Sequence, residues 1–176
     1  MSVVIPVRDA AATIEAAIRS ALTQRYDGDL EVVVADGASS DGTDDRVRQF
    51  GVDYFVSEPD GGIYQAMEKG VVASTGHAII FLNSGDVFAD DRVCSDVVAC
   101  FRRTNSFVIF GDFVPYLIKS NDTYEHPVFQ PGKVCRLNRV TNRNCLYEQN
   151  IHHQAAIYRR EIFDRCSYFA PEYPQG

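Results

Sequence analysis

Leu30-Glu31-Val32-Val33-Val34-Ala35 runs directly into Asp36-Gly37-Ala38-Ser39-Ser40-Asp41-Gly42-Thr43, a continuous β-branched stretch that stops at a carboxylate and glycines. A strand that stays apolar without alternating is buried on both faces, as in a mostly parallel sheet covered by helices. Val3 to Val7, Tyr54 to Ser57 and Ala78 to Leu82 read the same way. Between these runs the period becomes helical. Ile14, Ala17, Ile18, Ala21 and Leu22 share one helix face, with Thr13 placed as N-cap. Asp44 to Phe50 predicts a short helix, and Ile63, Ala66, Met67 and Val71 a third that stops at Gly76. Cys94, Val97, Val98 and Phe101 predict a fourth, preceded by Asp90 and Asp91, whose charges suit a helix N-terminus. This alternation over Ser2 to Ser84, without a linker, predicts an α/β fold with a mostly parallel central sheet and flanking helices.

After Phe101 the pattern changes. Ser106 to Val114 and Thr123 to Phe129 predict strands around the turn pair Asn121-Asp122, a small antiparallel portion in the C-terminal half. Gly132 to Asn150 reads as an irregular loop, Gln154 to Tyr158 as a last strand and Arg159 to Asp164 as a helical turn. The 176 residues predict one domain, 1–176, with halves 1–104 and 105–176. Acidic residues outnumber basic ones by 24 to 17 and no Lys/Arg cluster occurs, which argues against nucleic acid as a partner. The 5 cysteines, odd in number and without CxxC spacing, read as reduced thiols of a cytoplasmic protein. No apolar segment reaches bilayer length.

In doubly wound sheets ligands sit beyond the carboxyl ends of the strands. Those ends read Pro6-Val7-Arg8-Asp9, then Asp36 to Thr43, Glu58-Pro59-Asp60-Gly61-Gly62, and Asn83-Ser84-Gly85-Asp86. Each alone is what an ordinary turn needs. Together they predict a rim where backbone N–H groups meet phosphate and carboxylates hold a hard divalent cation. Neither G-x-G-x-x-G nor a P-loop follows a strand, so dinucleotide and P-loop chemistry are unsupported. Asp86, after the fourth strand, is the best anchor for Mg²⁺ or Mn²⁺.

The blocks Ser2 to Val7, Val34 to Thr43, Ser57-Glu58-Pro59-Asp60-Gly61-Gly62-Ile63-Tyr64 and Phe81 to Asp86 resemble, in order and spacing, the signature blocks of glycosyltransferase family 2. Within it they are most similar to bacterial transferases building exopolysaccharide, colanic-acid-like or O-antigen chains. The resemblance is strong from Ser2 to Asp86, returns at His152-His153-Gln154-Ala155, and is weak between. It implies a GT-A fold, with a nucleotide-sugar-binding half over 1–104 and an acceptor-side half over 105–176. By resemblance, Pro6, Val7 and Asp9 line the nucleoside pocket, Asp36 faces the base or ribose, and Asp60 lies on the loop beside the nucleotide. Asp86 matches the last acid of the metal motif, and His153 and Gln154 contact acceptor or diphosphate. Gly37 stands where many relatives have a second acid, Gly85 leaves one firm carboxylate in the metal motif, and Gln65 and Glu68 replace residues often Asp and Asn.

The implied activity is inverting, metal-dependent transfer from a UDP or GDP sugar to a glycan or lipid-linked glycan in cell-surface polysaccharide synthesis. Such transfer needs a carboxylate to take the acceptor's proton. The resemblance implies a base that follows the His153-Gln154 block at a distance that falls beyond Gly176, and Asp164 and Glu172 read as surface or cap residues. The alternative is therefore a sugar-nucleotide-binding fragment that is catalytically inactive. A nucleotidyltransferase lacks its Gly-rich basic loop here. A zinc site at His152/His153 lacks further ligands, and nothing activates Cys145 beside His152. Tyr64, Tyr158 and Phe163 read as core before they read as sugar platforms. The expected location is the cytoplasm, with peripheral contact at the inner membrane face left open by the lipid-linked acceptor.

Overall fold

A computed structural model of the chain describes residues 1–112 and 155–165. The elements are β1 (Ser2–Val7), α1 (Ile14–Leu22), β2 (Glu31–Asp36), α2 (Thr43–Val47), β3 (Tyr54–Ser57), α3 (Ile63–Ala73), β4 (Ala78–Phe81), α4 (Val93–Arg103), β5 (Val108–Phe110), β6 (Ala156–Arg159) and α5 (Glu161–Arg165). The chain divides into two compact units, Met1–Ile109 with Ile157–Gly176, and Phe110–Ala156. The sheet has 6 strands in the order β3-β2-β1-β4-β6-β5. β1, β2, β3 and β4 are parallel, and β6 runs antiparallel to β4.

Alternate residues of each central strand feed opposite faces, which explains why the runs carry no polar alternation. Val3, Ile5, Val32, Val34 and Ile80 pack with Ile14, Ala17, Ile18 and Ala21 of α1, Val47 of α2, and Cys94, Val97 and Phe101 of α4. Val4, Val33, Ile79 and Phe81 pack on the other face with Met67 and Val71 of α3. β3 departs from the both-faces expectation: Tyr54 and Ser57 are exposed and Phe55 and Val56 half-buried, because β3 is an edge strand. Leu22 (42% exposed) and Ile63 (38%) leave the apolar faces assigned to them, each being a terminal helix residue beyond the last packed turn. Thr13 precedes α1 without a side-chain capping bond; the Thr13 and Ile14 N–H groups both donate to the Ala10 carbonyl at 3.0 Å.

α4 lies as expected. Asp90 accepts the Arg92 N–H at 2.8 Å, and Asp91 pairs with exposed Arg25 at 2.6 Å. Buried among apolar neighbours, the Cys94 thiol is pushed up to about 12, which leaves it inert as a nucleophile. Cys94 and Cys100 are free thiols; Cys135, Cys145 and Cys166 lie outside the described residues. The predicted strand over 106–114 is shorter, Val108–Phe110, and the last strand, expected over Gln154 to Tyr158, runs over Ala156–Arg159. The expected strand at 123–129 and loop at 132–150 lie outside the described residues.

Two arginines at the end of β6 act as staples. Arg159 donates to the carbonyls of Ser106, Phe101 and Thr104 at 2.8, 2.7 and 3.0 Å, with its guanidinium 5.2 Å from the Phe101 ring centroid. Arg160 donates to the Gly76 and Val71 carbonyls and to Ser74 Oγ, tying off the end of α3. Phe81, Tyr158 and Phe163 form an aromatic triangle with centroids 5.5 to 6.3 Å apart. Tyr158 and Phe163 thus serve the core, whereas Tyr64 stays 39% exposed. No helix among the described residues is long and apolar enough to cross a membrane.

Glu31 joins the opposite ends of the strands. It accepts bonds from Ser2 Oγ (2.5 Å), Thr75 N (2.5 Å), Thr75 Oγ1 (3.0 Å) and Gly76 N (2.8 Å). Burial opposes its ionisation, but the bonds from Ser2, Thr75 and Gly76 together outweigh burial and hold it below the ordinary 4.5. A depressed folded value contributes stability that is present above 4.5 and lost as pH falls through the folded value. Thermal midpoints measured across acid pH should therefore drop less steeply in Glu31→Gln than in the wild type. Parallel profiles would exclude this role.

Candidate functional site

The strand order reverses between β1 and β4, so the loops after these two strands open a crevice at the topological switch point. Register aligns Val7 with Asp36 and Asp36 with Ser57, which sets the ends of β1, β2 and β3 on one edge. β4 pairs Phe81 with Val4 and the Leu82 N–H bonds the Val4 carbonyl at 2.9 Å, after which the ladder stops. Pro6, two residues beyond Val4, turns its amide side past that stop, so its missing donor costs nothing there. Pro6 and Val7 are both buried.

Loops after β1 and β2 clasp each other. The Asp9 N–H donates to Ser39 Oγ (2.7 Å), and Asp9 Oδ1 accepts the Ser40 N–H (2.8 Å). Ala10 N–H donates to Thr43 Oγ1 and Ala11 N–H to Asp41 Oδ2, both at 2.9 Å. The Thr43 hydroxyl first, then the Ala11 N–H, hold the exposed Asp41 carboxyl below its ordinary 3.8. Two residues with side chains take positive φ in this clasp, Asp9 at 48° and Ala38 at 58°, a conformation costly for L residues and held here by the surrounding bonds.

Asp36 is fully buried. Its Oδ2 accepts the Ser39 N–H at 3.0 Å and the Ser57 hydroxyl at 2.6 Å, and its Oδ1 accepts the Ser39 hydroxyl. The carboxylate therefore binds β2, its loop and β3 together. Asp60, on the next loop, has a side chain only 2% exposed. Its Oδ1 accepts the Gly62 N–H at 3.1 Å, and Lys69 Nζ stands 3.2 Å from Oδ2 in an ion pair whose geometry falls short of a hydrogen bond. A Cβ at Gly37 would lie 3.0 Å from both Asp60 oxygens, so the carboxylate fills the space that a side chain at 37 would need.

The loop after β4 carries Asn83-Ser84-Gly85-Asp86, the block that the sequence marks as a candidate cation site. Asp86 N–H donates to the Asn83 carbonyl at 2.9 Å, closing a turn around Ser84 and exposed Gly85. Asn83 Oδ1 is buried without a hydrogen-bond partner. No group of 3 or more His, Cys, Asp and Glu gathers among the described residues. An orphaned oxygen beside one acidic loop residue fits a hard cation completed by a diphosphate and water.

The structure thus gathers Asp9, Asp36 and Asp60 around the loop after β2 and puts Asp86 across the crevice mouth, on the loop after β4. His153 and Gln154 lie outside the described residues. Reading the sequence for acids overlooked Ser39, Ser57, Lys69 and the Asn83 side chain. Ser39, Ser57 and Asn83 lie inside the second, third and fourth blocks, whereas Lys69 lies outside all of them.

The profile of Glycosyl transferase family 2 matches residues 2–167. The chain belongs to this family. A glycosyltransferase of PGL/p-HBAD biosynthesis from Mycobacterium bovis is 30% identical over 168 residues, covering 92% of this chain and 60% of the relative. Glycosyltransferase AglE of Haloferax volcanii is 33% identical over 89 residues, 47% of this chain and 29% of AglE. The chain spans about 60% of the length of the mycobacterial relative. Among solved structures, S. aureus TarS superposes with a TM-score of 0.73 at 20% identity, over 99% of this chain and 31% of TarS. The mannosyltransferase PcManGT from Pyrobaculum calidifontis, solved with GDP-Man and Mn²⁺, gives 0.66 at 20% identity over 97% of this chain and 47% of that one. The mixed sheet with its antiparallel β6 is the GT-A fold that the chain shares with TarS.

Proposed function

We propose that this family 2 domain binds a nucleoside-diphosphate sugar, UDP- or GDP-linked, as the donor half of an inverting, metal-dependent glycosyltransferase. The carrying observation is that β1, β2, β3 and β4 end on one edge of the sheet, each in a loop that bears an acid, with the loops after β1, β2 and β3 in contact with one another. The nucleoside rests against the ends of β1, β2 and β3, shaped by Val7, Asp9, Asp36 and Asp60, and the diphosphate points toward Asn83 to Asp86. Asp86 and Asn83 Oδ1, on the same loop, would hold Mg²⁺ or Mn²⁺, which when bound stabilises charge developing on the leaving diphosphate. The acceptor is a glycan or lipid-linked glycan, met by residues 105–176 at the cytoplasmic face of the membrane in cell-surface polysaccharide synthesis. The solved relatives support a nucleotide sugar: TarS has been solved with UDP and with UDP-GlcNAc.

Calorimetric titration with UDP and GDP in the presence of Mn²⁺ tests the reading. Saturable binding of one of them, weakened by chelation, is expected. Absence of binding for both sinks it.

A further inference from the structure

The loop after β3 is held by a residue two turns into the following helix. Lys69, on α3, has a side chain 19% exposed, and its Nζ donates to the Glu58 carbonyl at 2.9 Å, stands 3.2 Å from Asp60 Oδ2 and 3.9 Å from Glu58 Oε1. One ammonium therefore serves the backbone at the end of β3 and the acid two residues further on. The loop is tied to α3 a second time by the Gly61 N–H, which donates to Gln65 Oε1 at 2.6 Å.

We infer that Lys69 is a positioning residue of the nucleotide site: it holds the Asp60 carboxylate against Gly37 and thereby fixes the loop over 58–62 on the end of β2. Three observations meet here. Asp60 is buried, its Oδ2 receives no hydrogen bond, and the Lys69 charge is what compensates it among the described residues. A buried carboxylate that loses its cation is destabilised far more than a carboxylate in an exposed pair. Gly37 has no side chain and Asp60 occupies its Cβ space, so the loop seats on β2 only while that carboxylate stays inward. Without Lys69 the cheapest escape is for Asp60 to swing to water, which lifts the loop from the pocket floor. Lys69 meets the loop through Asp60 and the Glu58 carbonyl.

The inference rests on the nucleotide-binding reading, and its test separates the two. Kd for UDP and GDP with Mn²⁺, together with the thermal midpoint, is measured for the wild type, Lys69→Met and Lys69→Met/Asp60→Asn. Lys69→Met should weaken nucleotide binding about 10-fold or more. The double variant, which removes the uncompensated charge, should bind about 3-fold or more tighter than Lys69→Met although the lysine is still missing. A lysine that merely stabilised α3 would leave both variants equally impaired. If Lys69→Met does not fold, the double variant alone decides, by folding and binding or by failing. Wild-type affinity in Lys69→Met, or no recovery in the double variant, overturns the inference. A wild type that binds neither nucleotide overturns the proposed function and this inference with it.

Discussion

Replacing Asp86 by alanine is expected to remove the metal-dependent part of nucleotide binding, lowering affinity for the preferred nucleoside diphosphate in Mn²⁺ by about 100-fold, or roughly 2.7 kcal/mol. The size follows from how little else the loop offers. Gly85 contributes no side chain, Asn83 supplies a neutral oxygen, and no cluster of acids gathers elsewhere among the described residues to share the cation. In EDTA the variant and the wild type should bind alike, because the loss is confined to the metal. Asn83→Asp gives the opposite sign: a second carboxylate on this turn should tighten Mn²⁺ binding to the nucleotide complex. Titrations with and without chelator report both, and an unchanged Mn²⁺ dependence in Asp86→Ala would falsify the assignment.

Gly70→Ala should be the more damaging change to the fold. On propensity alone, alanine in a helix interior gains about 1 kcal/mol over glycine. The packing term opposes it. A Cβ at 70 would lie 2.2 Å from Val4 Cγ1, far inside the ordinary carbon contact of about 3.5–4 Å. Val4 is fully buried in β1, and its β-branched side chain has no free rotamer into which to retreat. α3 must move off the sheet, and overpacking of this kind costs about 1–3 kcal/mol or more. The net expectation is a loss of at least about 1–2 kcal/mol, lowering the melting temperature by roughly 3–8 °C for a chain of this size. A midpoint equal to or above the wild type would show that helix propensity dominates instead. Gly70 also explains the extent of the helix pattern: the small residue lies on the same face as Ala66, Met67 and Val71.

Much of the α/β half could be read from the chain because its determinants are local. Val3 to Val7 and Leu30 to Ala35 are apolar on both parities, and the two faces they feed are the two layers of core. The edge position of β3 could not be read, since strand order depends on which strand β4 joins, and that choice lies far from Tyr54 in sequence. Site residues divide in the same way. Asp36 and Asp60 announce themselves as acids at strand ends, but whether such an acid faces a ligand or its own loop depends on partners such as Ser57 and Lys69, which come from the next strand and the next helix. An acid-by-acid reading therefore finds where the rim is and misses which of its members act as bolts. The hydrogen bonds made by Ser39 illustrate this: it accepts from the Asp9 backbone and donates to Asp36, a bridge that exists only once β1 and β2 lie side by side.

The sheet's strand order bears on how the chain is made. β4 needs β6 as its second neighbour, yet the last residue of β6, Arg159, leaves the ribosome roughly 80 residues after Phe81. At about 5–20 residues per second, an almost complete parallel sheet waits roughly 4–16 s with its β4 edge unpaired. Ala78, Ile79, Ile80 and Phe81, all apolar, line that edge during the pause. Synthesis thus holds open a sticky seam of the kind chaperones attend, and it is sealed only when Ala156 to Arg159 arrive.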